Sequence, residues 1–114
     1  MALSEIERAV ISKRLKAYCD AKVPAHIRNE LRLGYRISGH DVVLFEERPA
    51  LRSPHEWQES PVAKFTFVRA RNVWRLFCQH RDLRWHEYQR RPKAKEFDIL
   101  LQEVDSDPTG IFFG

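Results

Sequence analysis

The sequence has few cysteines, few glycines and no long apolar run. Only Cys19 and Cys78 occur among 114 residues, which excludes the dense disulfide framework of small secreted domains. Neither lies in a Cys-x-x-Cys pair, so both are predicted to be reduced core thiols. No stretch approaches the roughly 18 apolar residues of a membrane helix, and the first ten residues contain two carboxylates and no apolar run. The sequence therefore predicts a cytoplasmic protein with no secretory signal and no membrane partner.

Motifs of catalysis and cofactor binding are also missing. The chain has no Gly-rich phosphate loop, no Gly-x-Ser-x-Gly elbow and no Cys/His nucleophile pair. A chain of 114 residues can bury one core, which excludes an enzyme built from separate cofactor and substrate domains. We therefore expect one domain over residues 1–114, no cofactor, and a binding role in preference to an enzymatic one.

What the sequence does have is charge, arranged in blocks. Residues 69–95 carry nine Lys and Arg side chains against Asp82 and Glu87, whereas residues 96–114 carry five acidic side chains and no base. Fourteen of the twenty basic residues are Arg, whose planar guanidinium favours bidentate contacts. The net charge of +4 thus conceals a basic block, which a neighbouring acidic helix would neutralise if the two packed together.

Hydrophobic periodicity predicts the fold. Ser4 and Glu7 form a capping-box signature before a helical face of Ile6, Val10, Ile11, Leu15 and Tyr18. A period of two then begins at Leu31, and helical spacing returns after Pro92. The predicted order α-β-β-β-β-β-α gives a two-layer α+β fold, with both helices on one face of an antiparallel meander of about five strands. The predicted bounds are a helix over 4–22, the sheet over 31–90, a helix over 93–105 and a C-terminal tail over 106–114.

Turn positions predict the strand register. A two-residue turn at Gly39-His40 places Ser38 opposite Asp41 and the ring of Phe45 over Gly34, where it covers the gap that a strand glycine leaves.

Later in the sheet, a turn over 69–72 pairs Phe67 with Trp74 and Phe65 with Leu76. Residues 49–61 contain three prolines and are predicted as a loop. An even turn over 81–84 places Trp85 opposite His80.

This register leaves one sheet face without a covering layer, and that face carries the candidate binding site. Aromatic rings stack on bases, and Arg and Lys follow phosphates, so the face predicts a non-catalytic module that binds single-stranded nucleic acid or RNA. In this interpretation Arg75, Arg84 and Arg90 contact phosphates, while Phe77, Tyr88 and His86 stack on bases. The complete set of predicted nucleic-acid-binding residues is Lys64, Arg75, Phe77, Arg84, His86, Tyr88 and Arg90.

A different class of partner is the alternative. An open sheet that exposes Phe45, Phe77 and Tyr88 presents an apolar patch that a second copy or another protein could bury. The terminal segment, Ile111 to Gly114, is expected to fold back onto the core, or alternatively to insert into a groove of a partner.

Metal chemistry is the remaining alternative. The register places Cys78 and His80 on the inner face and His86 on the outer one, so no metal site is expected, although an error of one residue would reverse this arrangement. Glu46 and Glu87 are predicted to point inward at their strand ends. They are the candidates for a metal-dependent nuclease, the third hypothesis.

Several segments together resemble a known family. They include the run from Pro24 to Leu31, the hairpin ending in Leu44 to Pro49, Pro61 to Phe65, Trp74 to Phe77, Arg81 to Tyr88, and the terminal Phe112-Phe113-Gly114. Across nearly the whole chain the sequence is similar to the small bacterial family catalogued as domain of unknown function 3024. The resemblance implies a bacterial cytoplasmic protein that stands alone as one domain. It implies no activity, cofactor or catalytic residue.

Overall fold

Helix α1 (Glu5–Lys22) begins at the predicted capping box. The structure is a computed structural model that describes residues 2–114. In it the Ser4 hydroxyl accepts the N–H of Glu7 at 3.1 Å, and the Glu7 carboxylate accepts the N–H of Ser4 at 2.8 Å. The C-cap is Val23, directly before Pro24, which cannot continue the helix. The sequence therefore predicted both ends of α1 correctly.

The buried face of α1 is narrower than its apolar pattern indicates. Ile11, Leu15 and Tyr18 are buried, but Ile6 and Val10 are 78% and 61% exposed. The second helix, α2 (Phe97–Ser106), has only ten residues, and its Asp98 forms an ion pair with Arg14 of α1 at 2.7 Å. The prediction that the whole apolar face of α1 is buried was therefore wrong at Ile6 and Val10.

The sheet has six strands, all of whose pairings are antiparallel. The strands are β1 (Arg32–Ser38), β2 (Asp41–Pro49), β3 (Trp57–Val68), β4 (Val73–Gln79), β5 (Trp85–Glu87) and β6 (Lys93–Ala94). They follow the order β1-β2-β3-β4-β5, and β6 pairs with β4. Short 3-10 turns at Ala25–Ile27 and Arg69–Arg71 connect the elements. The α+β class and the antiparallel sheet are confirmed, with one short strand more than expected.

The first hairpin has the predicted register throughout. Ser38 pairs with Asp41 and Gly34 pairs with Phe45. A Cβ atom built on Gly34 would lie only 2.9 Å from two ring atoms of Phe45. The aromatic ring therefore occupies the space that the glycine leaves, as predicted.

The loop predicted over 49–61 is wrong at both ends. Pro49 is the last residue of β2, and β3 already begins at Trp57. Pro61 lies at a β-bulge, where the pairing shifts between Leu44 and Phe45. Since β4 pairs with β3 only from Lys64 onward, this part of β3 has a single neighbouring strand and tolerates a residue without an N–H.

The register between β4 and β5 differs from the prediction by one residue. Phe65 pairs with Leu76 and Phe67 with Trp74 as expected, but Trp85 lies opposite Gln79 and not His80. The odd-numbered loop arises because Leu83 adopts a left-handed conformation with φ of 62°. A slip of one residue transfers every side chain of a strand to the other face. The faces predicted for β5 are therefore reversed.

The C-terminal part of the chain lies on the helical side of the sheet. The predicted helix over 93–105 begins only at Phe97, because residues 93 and 94 form β6. After α2, the Asp107 carboxylate accepts the N–H groups of Phe112 and Phe113 at 3.0 and 2.9 Å. Phe112 is buried against Tyr88, with ring centroids 4.9 Å apart. The terminal segment thus folds back onto the core, as expected, and leaves the opposite sheet face uncovered.

The hydrophobic core lies between the helices and the inner face of the sheet. Its fully buried members include Leu15 from α1, Leu100 from α2, and Leu44, Phe65 and Leu76 from the central strands. Both cysteines are buried free thiols, as predicted. Within residues 2–114, neither helix is long and apolar enough to span a bilayer.

Candidate nucleic-acid interface

Four residues on the uncovered face form a group that we call the outer patch: Lys64, Arg75, Phe77 and Trp85. They come from three adjacent strands, because Lys64 of β3 pairs with Phe77 of β4, and Trp85 of β5 pairs with the residue two positions after Phe77. All four side chains are partly exposed. The fold thus gathers two rings and two cations on one continuous surface.

The cations of the outer patch lie over its rings. Lys64 Nζ is 4.8 Å from the ring centroid of Phe77 and 5.5 Å from that of Trp85. The guanidinium carbon of Arg75 lies 4.8 Å from the Phe77 centroid, and Arg75 Nη2 also donates to Glu87 Oε2 at 2.9 Å. Rings and positive charge are therefore available at the same place.

The same motif recurs at the other end of this face. Arg32 lies over Trp57 at 3.7 Å, and Arg36 lies over Phe45 at 4.6 Å. Arg36 also forms an ion pair with Glu59. Cation-over-ring pairs thus occur at both ends of the face.

Of the predicted binding residues, Lys64, Arg75 and Phe77 lie on the outer face, whereas Tyr88 and Arg90 do not. Tyr88 is 4% exposed, and its hydroxyl donates to Glu103 Oε2 at 2.7 Å. Burial, reinforced by this bond, raises the pKa of Tyr88 to about 12. Arg90 also contacts Glu103, at 3.4 Å. Their predicted outer position was wrong because the register shift turns β5 over and directs both side chains to α2.

His86 and Arg84 likewise leave the outer face. His86 is the strand partner of Cys78, and its imidazole ring stacks on that of His80 with ring centroids 4.0 Å apart. His86 Nε2 lies 2.9 Å from a carboxylate oxygen of Asp82, whose pKa is lowered by the N–H of Arg84 and by His86. Arg84 itself is exposed in the loop. The structure therefore assigns neither residue to the outer patch.

The metal hypotheses change with the register. Cys78, His80 and His86 now share one side of the sheet. Across residues 2–114, however, no group of three or more His, Cys, Asp or Glu side chains is arranged to hold a metal ion.

The two nuclease candidates are separated. Glu46 contacts Arg48 at 3.3 Å and lines an inner hollow beside Phe113. Glu87 was predicted to point inward, but it lies on the outer face with Arg75. Because the sheet lies between the two carboxylates, the predicted inward pair does not form.

Two carboxylates of the acidic C-terminal segment pair with α1, and most of the basic block has no ion pair with this segment. Asp98 pairs with Arg14 at 2.7 Å, and Asp105 pairs with Lys22 at 3.1 Å. Arg90 is the one base of the 69–95 block that pairs with this segment within residues 2–114. Six of the nine basic side chains of the block have no carboxylate partner within residues 2–114: Arg71, Arg81, Arg84, Arg91, Lys93 and Lys95.

The sequence did not predict two of the aromatic residues on the outer face of the sheet, Trp85 and Trp57. Trp85 was predicted on the inner face, and Trp57 in a loop. A left-handed leucine has no sequence signature, so nothing in the residues 80–84 signalled the odd loop that carries Trp85 outward. Trp57 is surrounded by polar residues between Pro54 and Pro61, and these prolines favoured a loop.

The fold and this surface define a class: a two-layer α+β protein with helices on one face of an antiparallel sheet and cation-over-ring pairs on the other. The family model described as Domain of unknown function (DUF3024) matches residues 3–114, and the chain belongs to that family. Searches of the curated proteins and of the solved structures found no match.

Proposed function

We propose that the protein is a non-catalytic module that binds single-stranded nucleic acid, RNA or DNA, across the outer patch. The observation that carries the proposal is the position of Lys64 over both Phe77 and Trp85, on a sheet face that neither helix nor tail covers. Exposed rings on a sheet, combined with basic side chains, are the physical basis of sequence-tolerant strand binding.

The energetic balance favours a base over the ring in place of the ammonium group. An exposed cation–π contact contributes about 0.5–1 kcal/mol. Stacking of a base on an aromatic side chain contributes about 1–3 kcal/mol. A base that stacks on Phe77 therefore displaces Lys64 at a net gain, and the released ammonium group can contact the adjacent phosphate.

The surrounding charge supports the same ligand. The unpaired Arg71 and Lys93 line a groove that shares Arg75 with the patch, while Asp98 and Asp105 of α2 pair with α1. Positive side chains that release counterions from phosphates make affinity fall steeply with salt. Strong salt dependence is accordingly the first signature that we expect.

Fluorescence anisotropy with labelled oligo(U) and oligo(dT) tests the proposal. Phe77→Ala should weaken binding about tenfold through lost stacking, with the native fold checked by urea unfolding. Lys64→Gln should lower the salt slope by about one, because one phosphate contact is lost. Lys16→Gln, an exposed charge on α1, is the matched control and should change little.

Different outcomes of this assay would contradict the role of the outer patch and the proposed function as a whole. Binding that ignores salt, or equal losses in the Lys64 and Lys16 variants, would contradict a role for the outer patch. Absence of binding to both oligonucleotides at low salt would remove the proposal altogether.

A second candidate function is homodimerisation or binding of another protein. The outer face supports it less than the sequence indicated, because Phe45 and Tyr88 are buried. Helix α1 supports it more, since Ile6 and Val10 are exposed beside a groove of about 320 Å³. Twice the monomer mass in light scattering, reverting to the monomer in Val10→Lys, would favour this candidate. A monomer at every concentration would remove its homodimeric form.

A further inference from the structure

A groove opens where the edge of the sheet is interrupted. Strands β5 and β6 pair with the same strand, β4, and the chain between them leaves the sheet. At the break Leu76 accepts the N–H of Tyr88 at 3.0 Å and donates its own N–H to the carbonyl of Pro92 at 2.9 Å. The groove beside it has a volume of about 530 Å³. That volume lies within the range of small-ligand sites, roughly 300–1,000 Å³.

The lining of the groove is predominantly cationic. Arg71, Arg75 and Lys93 contribute three positive charges, and Glu87 contributes one negative charge. Glu87 is held by Arg75 at 2.9 Å, whereas Arg71 and Lys93 have no ion-pair partner among residues 2–114. The groove therefore presents two uncompensated positive charges to a ligand.

The groove is continuous with the outer patch. Arg75 belongs to both, and Glu87 of the groove is the strand partner of Phe77. A nucleic-acid strand whose base stacks on Phe77 would thus have its neighbouring phosphate at the mouth of the groove. The position of the groove and its positive charge therefore both point to a phosphate group of the bound strand.

We propose that this groove binds the terminal phosphomonoester of a strand that lies on the outer patch, an inference that rests on the proposed function. A phosphomonoester carries about −1.5 to −2 charges at neutral pH, which matches the two uncompensated cations better than the single charge of an internal phosphodiester. The Arg71 guanidinium offers the bidentate geometry that phosphate oxygens accept, and Lys93 supplies a mobile ammonium group.

Competition with a labelled strand tests the groove. The competitors are one short oligo(U) sequence in three forms: with free hydroxyl ends, with a 5′-phosphate, and with a 3′-phosphate. Phosphate at one end should tighten binding about tenfold, as expected for charge-assisted hydrogen bonds. The readout is the ratio of the phosphorylated to the unphosphorylated affinity within each variant, so a general loss of positive charge cancels.

Two double variants provide the comparison. Arg71→Gln with Lys93→Gln should reduce the ratio to near one. Lys13→Gln with Lys16→Gln removes the same charge from exposed positions on α1 and should keep the ratio of the unmodified protein.

Every outcome bears on the inference. A ratio near one at both ends, with the unphosphorylated strand still bound, overturns the groove and leaves the proposed function standing. A phosphate preference that survives in the Arg71 and Lys93 variant also overturns it, because the phosphate is then held elsewhere. If no form of the strand binds, the proposed function fails and the inference fails with it.

Discussion

Replacement of Gly34 by alanine tests the packing of the first hairpin. The new Cβ would lie 2.9 Å from both Cε2 and Cζ of Phe45, closer than carbon atoms pack in folded proteins. Phe45 is 8% exposed and lies beneath Arg36, so its ring has little room to withdraw. We therefore expect Gly34→Ala to destabilise the protein.

The magnitude follows from two opposing effects. Alanine restricts the unfolded chain and would by itself stabilise the fold by about 0.4–1 kcal/mol. Overpacking against a buried ring costs about 1–3 kcal/mol. The expected net loss is about 1 kcal/mol, equivalent to a fall of roughly 4 °C in Tm for a domain of this size.

Urea unfolding followed by tryptophan fluorescence measures this loss. The decisive comparison is the same substitution in a Phe45→Leu background, since leucine lacks the two ring atoms that the new Cβ would meet. There Gly34→Ala should be neutral or stabilising by about 0.5 kcal/mol. Stabilisation in the unmodified protein, or an equal effect in both backgrounds, would refute the argument.

Three further predictions concern other parts of the fold. Leu83→Gly should be neutral or stabilising by up to about 1 kcal/mol in urea unfolding, because the exposed leucine has a φ of 62° that glycine adopts without strain; clear destabilisation would contradict this. The Arg69 guanidinium and the capping bonds lower the pKa of Glu7 from 4.5 to about 2, so its contribution to stability is complete above 4.5 and is lost as pH falls towards 2. Glu7→Gln should remove the change in the free energy of unfolding between pH 4.5 and 2. An unchanged pH profile in this variant would exclude a contribution from the ion pair between Glu7 and Arg69. Burial raises the pKa of the Cys19 thiol to about 11 and raises that of Cys78, so both should react with a thiol reagent at neutral pH only after unfolding; rapid labelling of the native protein would contradict their burial.

Local signals were sufficient for α1 and the first hairpin. The capping box depends on Ser4 and Glu7, three residues apart, and the hairpin depends on a two-residue turn beside a strict alternation. In each case the relevant interactions lie within a few residues of each other. Prediction was correct because neighbouring residues determine these interactions, and the distant Arg69 adds an ion pair to Glu7 without disrupting the capping box.

The candidate site was predicted only in part. Lys64, Arg75 and Phe77 lie on β3 and β4, whose register the pattern specified correctly. The remaining predicted residues depended on the length of one loop. The conformation of Leu83 made that loop odd, which brought Trp85 to the outer face and sent Tyr88 to the core. An error of one residue in a turn is sufficient to exchange half of a site, because strand side chains alternate.

The sequence by itself determined α1, the existence of a C-terminal helix, the first hairpin, the basic block and the existence of a sheet face without a covering layer. These follow from periodicity, turn residues and the number of apolar stripes that 114 residues provide. Only the tertiary structure decided which charges meet. The acidic residues of α2 follow the basic block directly in the chain, yet Asp98 and Asp105 pair with α1, because both helices pack side by side on the inner face. Packing of distant elements, and not proximity in sequence, therefore leaves Arg71 and Lys93 without an ion-pair partner among residues 2–114.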